Sequence, residues 1–307
     1  LPVANFTSVG MFDSDAWRRQ MQPEHVPDQS SDFGPLLELE TLDDNMFRGW
    51  CHSGLPQRIF GGAVAAQALV AAGRTIPKDR AVHSLHGYFV RAGDPDYPIL
   101  YSVERTRDGR SFSTRRVTAM QHGDAIFTLS ASFQLAADGP DHQLEMPPAP
   151  PVGPPTKDGL TPGRGRMRDS PVTRVLDLRP ADGGDPVPRR QRFWVRTRRR
   201  LDDDPLQHVC ALTYISDLSL ASTASLPYRH EATMMISSLD HAVWFHRPSR
   251  ADEWLLFVQH STNASGGRGL VNGEFFSADG ILVASVMQEV LMRPIGPPRE
   301  THLPNDR

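Results

Sequence analysis

The sequence predicts an α+β protein made of one unit used twice, in which antiparallel strands wrap a single long buried helix. Three observations carry this expectation. Phe60 to Gly73, FGGAVAAQALVAAG, places small or apolar residues on every side of a helical cylinder, the mark of a helix buried all round. Asp204 to Asp217, DPLQHVCALTYISD, opens with an N-cap aspartate and a proline at the first helical position. It then carries Leu206, Val209, Cys210 and Thr213 at the three- and four-residue spacing of one helical face. Four strand-like segments follow each helix, near 83–90, 99–106, 111–121 and 125–134 in the first half and near 233–245, 254–260, 269–276 and 281–292 in the second.

Matching motifs put the two halves in step. GYFVRAG with Arg91 answers AVWFHRP with Arg247, an interval of 156 residues, and SASFQ ending at Gln134 answers ASVMQ ending at Gln288, an interval of 154. So long an interval marks a duplicated domain and not a solenoid. An antiparallel sheet folded around its own helix is the layering called a hotdog. The expected architecture is therefore a double hotdog, two antiparallel sheets each wrapping one long buried helix.

In chain order, residues 1–34 are polar and weakly periodic and read as an N-terminal extension. The first hotdog domain covers 35–137. Leu36 to Glu40 and Met46 to Trp50 alternate as short strands before the helix, and Asp108-Gly109 and Gly123-Asp124 mark hairpins after it. Residues 138–166, with MPPAPPVGPP at their heart, read as an extended linker, because proline has no N–H to give to a sheet. The second domain covers 167–294, with strands expected at Val172 to Leu178 and Arg192 to Thr197 ahead of its helix, and 295–307 form a tail.

At 307 residues, 39% apolar and 22% charged, the chain has the composition of a globular protein with room for two domains. A net charge of -3 gives no general attraction to nucleic acid or to anionic membranes, and the sequence reading finds no apolar run long enough to insert in a bilayer. Two cysteines, Cys51 and Cys210, fit a reducing compartment; with no signal-peptide pattern and a closing LPNDR that is not a peroxisomal address, the expected location is cytoplasmic. No His or Cys pair has metal-ligand spacing, so no metal is expected.

Asp217 is the residue that breaks the local rules. Eleven places after Leu206, it returns to within roughly 20° of it at about 100° per residue, so the carboxylate lies on the buried stripe. It also sits at the negative end of the helix dipole, where aspartate is disfavoured. Either it simply closes a turn or something else in the fold holds a functional charge there. Elsewhere, Asp240-His241 looks like a dyad, but neighbours on a strand face opposite ways, and His83 and His86 fail the same test. His83 alone remains a candidate general base. No serine lies in a G-x-S-x-G elbow. The run Arg189 to Arg200, RRQRFWVRTRRR, reads either as an edge strand with its arginines in solvent or as a dock for coenzyme A phosphates; Asp202 to Asp204 beside it would repel a nucleic-acid backbone.

FGGAVAAQALVAAG, HSLHGYFVRAGD, RDGRSFSTRRV, LTYISD, LDHAVWFHRP and NGEFFSADGILVASVMQE, in that order from about Leu37 to Met292, resemble the type II acyl-CoA thioesterases of bacteria and their peroxisomal relatives. The resemblance implies hydrolysis of fatty acyl-CoA without a metal or cofactor, coenzyme A entering only as part of the substrate, and a homodimer or higher homo-oligomer. It also implies three catalytic residues: Asp217, which closes LTYISD; Ser238, just before the LDH motif, where some relatives carry threonine; and Gln288 of VASVMQE.

The chemistry supports such a set. A thioester carbonyl is already activated and its thiolate leaves readily, so hydrolysis needs mainly a positioned water and a stabilised oxyanion. Asp217 can take the water's proton while Ser238 and Gln288 orient it. Backbone N–H groups at Gly61 and Gly62, at a helix N-terminus, are the expected oxyanion and substrate contacts. Each polar residue also has a plainer reading. Ser238 shares a strand face with Met234, Ile236 and Ala242 as a satisfied core hydroxyl, and Gln288 shares one with Leu282, Ala284, Val286 and Val290. A noncatalytic acyl-thioester binding or scaffold protein is the alternative function. Hydratase chemistry would need an Asp-His pairing across a site, which the sequence does not offer.

Overall fold

The computed structural model describes residues 32–52, 55, 57–153, 170–182, 189–228 and 233–295. The proposed N-terminal extension lies almost wholly outside the described residues, as do 154–166 of the proline-rich stretch and all but the first residue of the tail. In the first half, β1 (Glu40–Asp43) and β2 (Met46–Gly49) precede α1 (Gly61–Arg74), and β3 (Arg80–Phe89), β4 (Ile99–Asp108), β5 (Phe112–Gln121) and β6 (Asp124–Leu135) follow it. In the second half, a short α2 (Pro171–Arg174), β7 (Leu176–Pro180) and β8 (Arg190–Thr197) lead into α3 (Pro205–Ser216) and α4 (Leu220–Ser225). Five strands close the chain: β9 (Thr233–Ser238), β10 (Asp240–Phe245), β11 (Leu255–Ser265), β12 (Arg268–Ser277) and β13 (Leu282–Ile295).

The strands run in the order β1-β2-β4-β5-β6-β3-β10-β13-β12-β11-β8-β7, with β9 pairing β13 off that path. Read outward from the middle, each half repeats the other: β3 is to β10 as β6 is to β13, β5 to β12 and β4 to β11. The duplication and the wrapped helices are as expected, but the two sheets are one. Tyr88 to Ser84 of β3 pair antiparallel with Asp240 to Trp244 of β10, which joins the halves edge to edge and removes two exposed strand edges.

The helices share the inner face of this sheet and pack on each other in opposite directions. Two glycines permit the contact. A Cβ on Gly73 would stand 2.6 Å from the Leu206 side chain, and one on Gly62 would stand 2.5 Å from the Tyr214 carbonyl oxygen. The N-terminus of α1 thus lies against the C-terminus of α3. At the other end of α1, the fully buried Arg115 of β5 donates to Thr75 Oγ1 (2.8 Å), the Thr75 carbonyl (3.0 Å) and Asp108 (2.8 Å), setting a cation where the helix dipole is negative.

Three local expectations are corrected. Leu36 lies in a 3-10 turn, Gly34–Leu37, and the first strand starts at Glu40. Val172 lies in α2, not in a strand: Ser170 caps that turn by accepting from the Val172 N–H, and Pro171 occupies the first helical position. The proline-rich stretch is no free linker where it is described. The carbonyls of Pro148 and Pro150, released from any ladder, accept from Arg192 (2.6 Å) and Trp194 Nε1 (2.9 Å). Gln143 brackets β13 by donating to the Gly280 carbonyl (2.8 Å) and accepting from the Leu282 N–H (3.1 Å). Met146, Ala149 and Val152 pack on Trp194, Leu256, Val258 and Phe276, so the segment is a strap over the outer face of the second half.

The segment Pro205–Tyr228 is long and apolar enough to cross a membrane, which the sequence reading missed. Most of it is core, and it bends where Ser219 takes a left-handed φ of 69° between α3 and α4.

Candidate active site

The α3 helix stops at Ser216, and Asp217 is its C-cap, 8% exposed. Burial pushes its pKa up to about 7. The Gly62 N–H, the Gln288 amide and the positive charge of Arg58 pull the other way. The abutting helix ends explain how a carboxylate survives at a helix C-terminus: the positive N-terminus of α1 faces it from the other half of the molecule. Its Oδ1 is buried without a hydrogen-bond partner. Asp217 lines a cavity of about 550 Å³ together with Arg58, Gly61, Phe89, Arg91, Ser219, Ser238 and Leu239.

Ser238 reaches the same place through an irregularity in the sheet. Ser238 pairs with Val290 and Ala242 with Met287, so three residues, Leu239 to His241, stand opposite two, Gln288 and Glu289. The bulge splits the single strand expected over 233–245 into β9 and β10 and shifts the inward parity by one residue. Ser238 therefore does not share its face with Ala242; the inward series continues through His241 and Val243, both fully buried. Asp240 turns the other way and accepts from the Glu289 N–H (2.6 Å), so the Asp240-His241 pair is not a dyad.

Gln288 sits on β13 among Ala284, Val286 and Val290, on the inward face expected for it, and is fully buried behind Ser238. Its Nε2 donates to Ser238 Oγ, and its Oε1 faces His241 Nδ1 at 2.9 Å. Asp217, Ser238, Gln288, Gly61 and Gly62 are thus brought together from α3, β9, β13 and α1. A Cβ on Gly61 would come within 2.9 Å of Asp217 Oδ2 and 2.7 Å of the Phe89 ring. Gly62 directs its N–H at the Asp217 carboxylate and does not line the cavity, so it is not the oxyanion and substrate contact expected of it, whereas Gly61 does line the cavity.

His83 stands apart from this group. Its Nε2 lies 2.8 Å from Ser132 Oγ and its ring meets Phe112 edge-on; it does not line the cavity. The Arg189 to Arg200 run is spent largely on ion pairs: Arg192 with Asp182 (3.3 Å), Arg196 and Arg198 with Asp177 (3.2 and 3.7 Å), and Arg200 with Asp252 (3.8 Å). None of these arginines lines the cavity, whereas Arg58 and Arg91 do. Sequence reasoning missed Arg58 and His241. For His241 the signal was present, since it has the parity of the buried Val243, but a regular strand through 233–245 set it opposite Ser238.

Two helices wrapped by a continuous antiparallel sheet, with a polar cluster at the joint between the repeats, define a double hotdog protein. The fold is shared with a hot dog protein of unknown function from Alicyclobacillus acidocaldarius, at 24% identity and a TM-score of 0.69 over 85% of this chain and 98% of that one. Residues 49–134 match the profile of the acyl-CoA thioesterase N-terminal domain and residues 144–292 that of the C-terminal domain. Acyl-coenzyme A thioesterase 8 of Rattus norvegicus is 42% identical over 282 residues, 84% of this chain and 88% of the relative. The crystal structure of acyl-CoA thioesterase II TesB2 from Mycobacterium marinum is 45% identical, with a TM-score of 0.72 over 85% of this chain and 97% of that one. The chain belongs to the acyl-CoA thioesterase family.

Proposed function

We propose that the protein hydrolyses fatty acyl-CoA to a free fatty acid and coenzyme A through a water held by Asp217 and Ser238, with no covalent intermediate. The observation that carries this reading is the buried Asp217 carboxylate in a cavity wall shared with Ser238. A carboxylate that meets solvent only through such a cavity is placed to take a proton from a water held there.

Gln288 donates into Ser238 Oγ, so the Ser238 O–H proton is free to turn to the cavity and donate to the same water. Water oxygen attacks the thioester carbonyl carbon as Asp217 takes one proton. The tetrahedral adduct then collapses with cleavage of the C–S bond, and the thiolate leaves with the proton from Asp217. The N-terminus of α1, where Gly61 lines the cavity, faces the developing oxyanion with its positive end. Leu55, Ile59, Phe60, Val64, Ile126 and Phe127 give the acyl chain an apolar wall, and Arg58 and Arg91 set positive charge opposite coenzyme A phosphates.

A thiol-release assay across acyl-CoA chain lengths tests this. Asp217→Asn keeps the shape and removes the base, and its kcat is expected to fall by about 10²–10⁴ while substrate still binds. Undiminished turnover in that variant would remove the mechanism.

A further inference from the structure

Behind Ser238 the hydrogen bonds continue past any group the hydrolysis uses. His241 Nδ1 lies 2.9 Å from Gln288 Oε1, and His241 Nε2 lies 2.7 Å from Ser216 Oγ. Gln288, His241 and Ser216 are all fully buried. We propose that His241 is a positioning residue: as the neutral Nδ1–H tautomer it donates to Gln288 Oε1 and so holds the amide with its NH2 toward Ser238 and Asp217. This inference rests on the hydrolytic reading of the site.

The direction of the chain follows from its two ends. An ionised carboxylate has nothing to donate, so Gln288 must present its NH2 to Asp217, which leaves Oε1 facing His241 and in need of a proton there. Burial holds the His241 pKa down at about 4, so near neutral pH the ring carries one N–H, and the amide requires it on Nδ1. The bare Nε2 then needs a donor. Ser216 has one hydroxyl proton and two acceptors in reach, the Thr213 carbonyl at 2.8 Å and His241 Nε2 at 2.7 Å. The Nδ1–H tautomer takes that proton for the ring. In the reverse chain His241 donates from Nε2 to Ser216 and accepts the Gln288 amide at Nδ1, which turns Oε1 of Gln288 against the buried carboxylate. The cost of that apposition selects the first direction.

The bulge at Leu239 makes the arrangement available. In a regular strand, Ser238 and His241 would face opposite sides, and no imidazole would stand behind the glutamine.

Two measurements decide the matter. In the holo-length protein with 15N-labelled histidine at pH 7, NMR is expected to show His241 as the Nδ1–H tautomer; an Nε2–H tautomer or a charged ring overturns the proposal without reference to turnover. In kinetics, His241→Asn keeps an amide near the Nδ1 position, whereas His241→Gln carries its amide to the Nε2 position. The Gln variant is expected to lose roughly tenfold more kcat than the Asn variant, with KM within about twofold in both. Equal kcat losses in the two, or a loss confined to KM, overturns it. Absence of turnover in the wild-type protein would instead defeat the hydrolytic reading, and the tautomer measurement would still decide the direction of the chain.

Discussion

Asp217 is a charge that folding resists and the proposed hydrolysis needs. Its pKa stands at about 7, above the ordinary 3.8, because burial outweighs the Gly62 N–H, the Gln288 amide and Arg58. The folded state therefore holds the proton more tightly than the unfolded chain, and wild-type stability declines as pH rises from about 4 to about 7. Asp217→Asn escapes that decline. Its melting temperature is expected to exceed the wild type's by a few degrees at pH 8, with the difference shrinking toward pH 4, as calorimetry at the two pH values will check. The wild-type kcat/KM is expected to rise with pH through a midpoint near 7. Arg58→Ala, by removing a positive charge that favours the ionised form, should move that midpoint upward and raise KM for acyl-CoA; an unmoved midpoint argues against the charge as a tuner. The anomaly of Asp217 was legible in the sequence because it violates helix preference. Arg58 was not, since nothing in its neighbourhood along the chain records the carboxylate it meets across the fold.

Among elements, the close pair α1 and α3 depends on positions where no side chain fits. A Cβ at Gly62 would collide with the Tyr214 carbonyl, a backbone atom that no rotamer change moves, so Gly62→Ala is expected to cost about 1–3 kcal/mol in denaturant unfolding and to reduce activity with it. The two helices were legible for different reasons: small or apolar residues cover the whole cylinder of α1, whereas α3 has its Asp204-Pro205 start and the one-face spacing of Leu206, Val209, Cys210 and Thr213. The break at Leu239 had no such mark. Residues 233–245 alternate well enough to pass for one strand, and a bulge changes pairing without needing a glycine or proline to announce it. The capped turn at Ser170-Pro171 did carry a signal, but the β-branched Val172 and Thr173 after it spoke for a strand.

For the molecule as a whole, the matched motifs disclosed the duplication, but no pattern in either repeat says that their edges pair. The joint matters because the candidate site straddles it: Gly61, Gly62 and Phe89 come from the first half, and Asp217, Ser238 and Gln288 from the second. Residues 138–295 expressed alone, strap included, are expected to show no thioester hydrolysis, and activity should return only when the first half is supplied or covalently restored. The strap shows a limit of composition as a guide. Proline density correctly excluded a strand, yet the same lack of internal hydrogen bonding left carbonyls free to dock on Arg192 and Trp194.

The basicity of Asp217 is set by its burial against residues of the other repeat. If the seam between the repeats loosens, the carboxylate keeps its place on α3 but water reaches it, the burial that raises its pKa is relieved, and its proton affinity falls. Urea well below the unfolding midpoint should therefore move the kcat/KM midpoint below 7, while circular dichroism stays unchanged. Such a protein would report strain between its repeats as an apparent shift in its working pH.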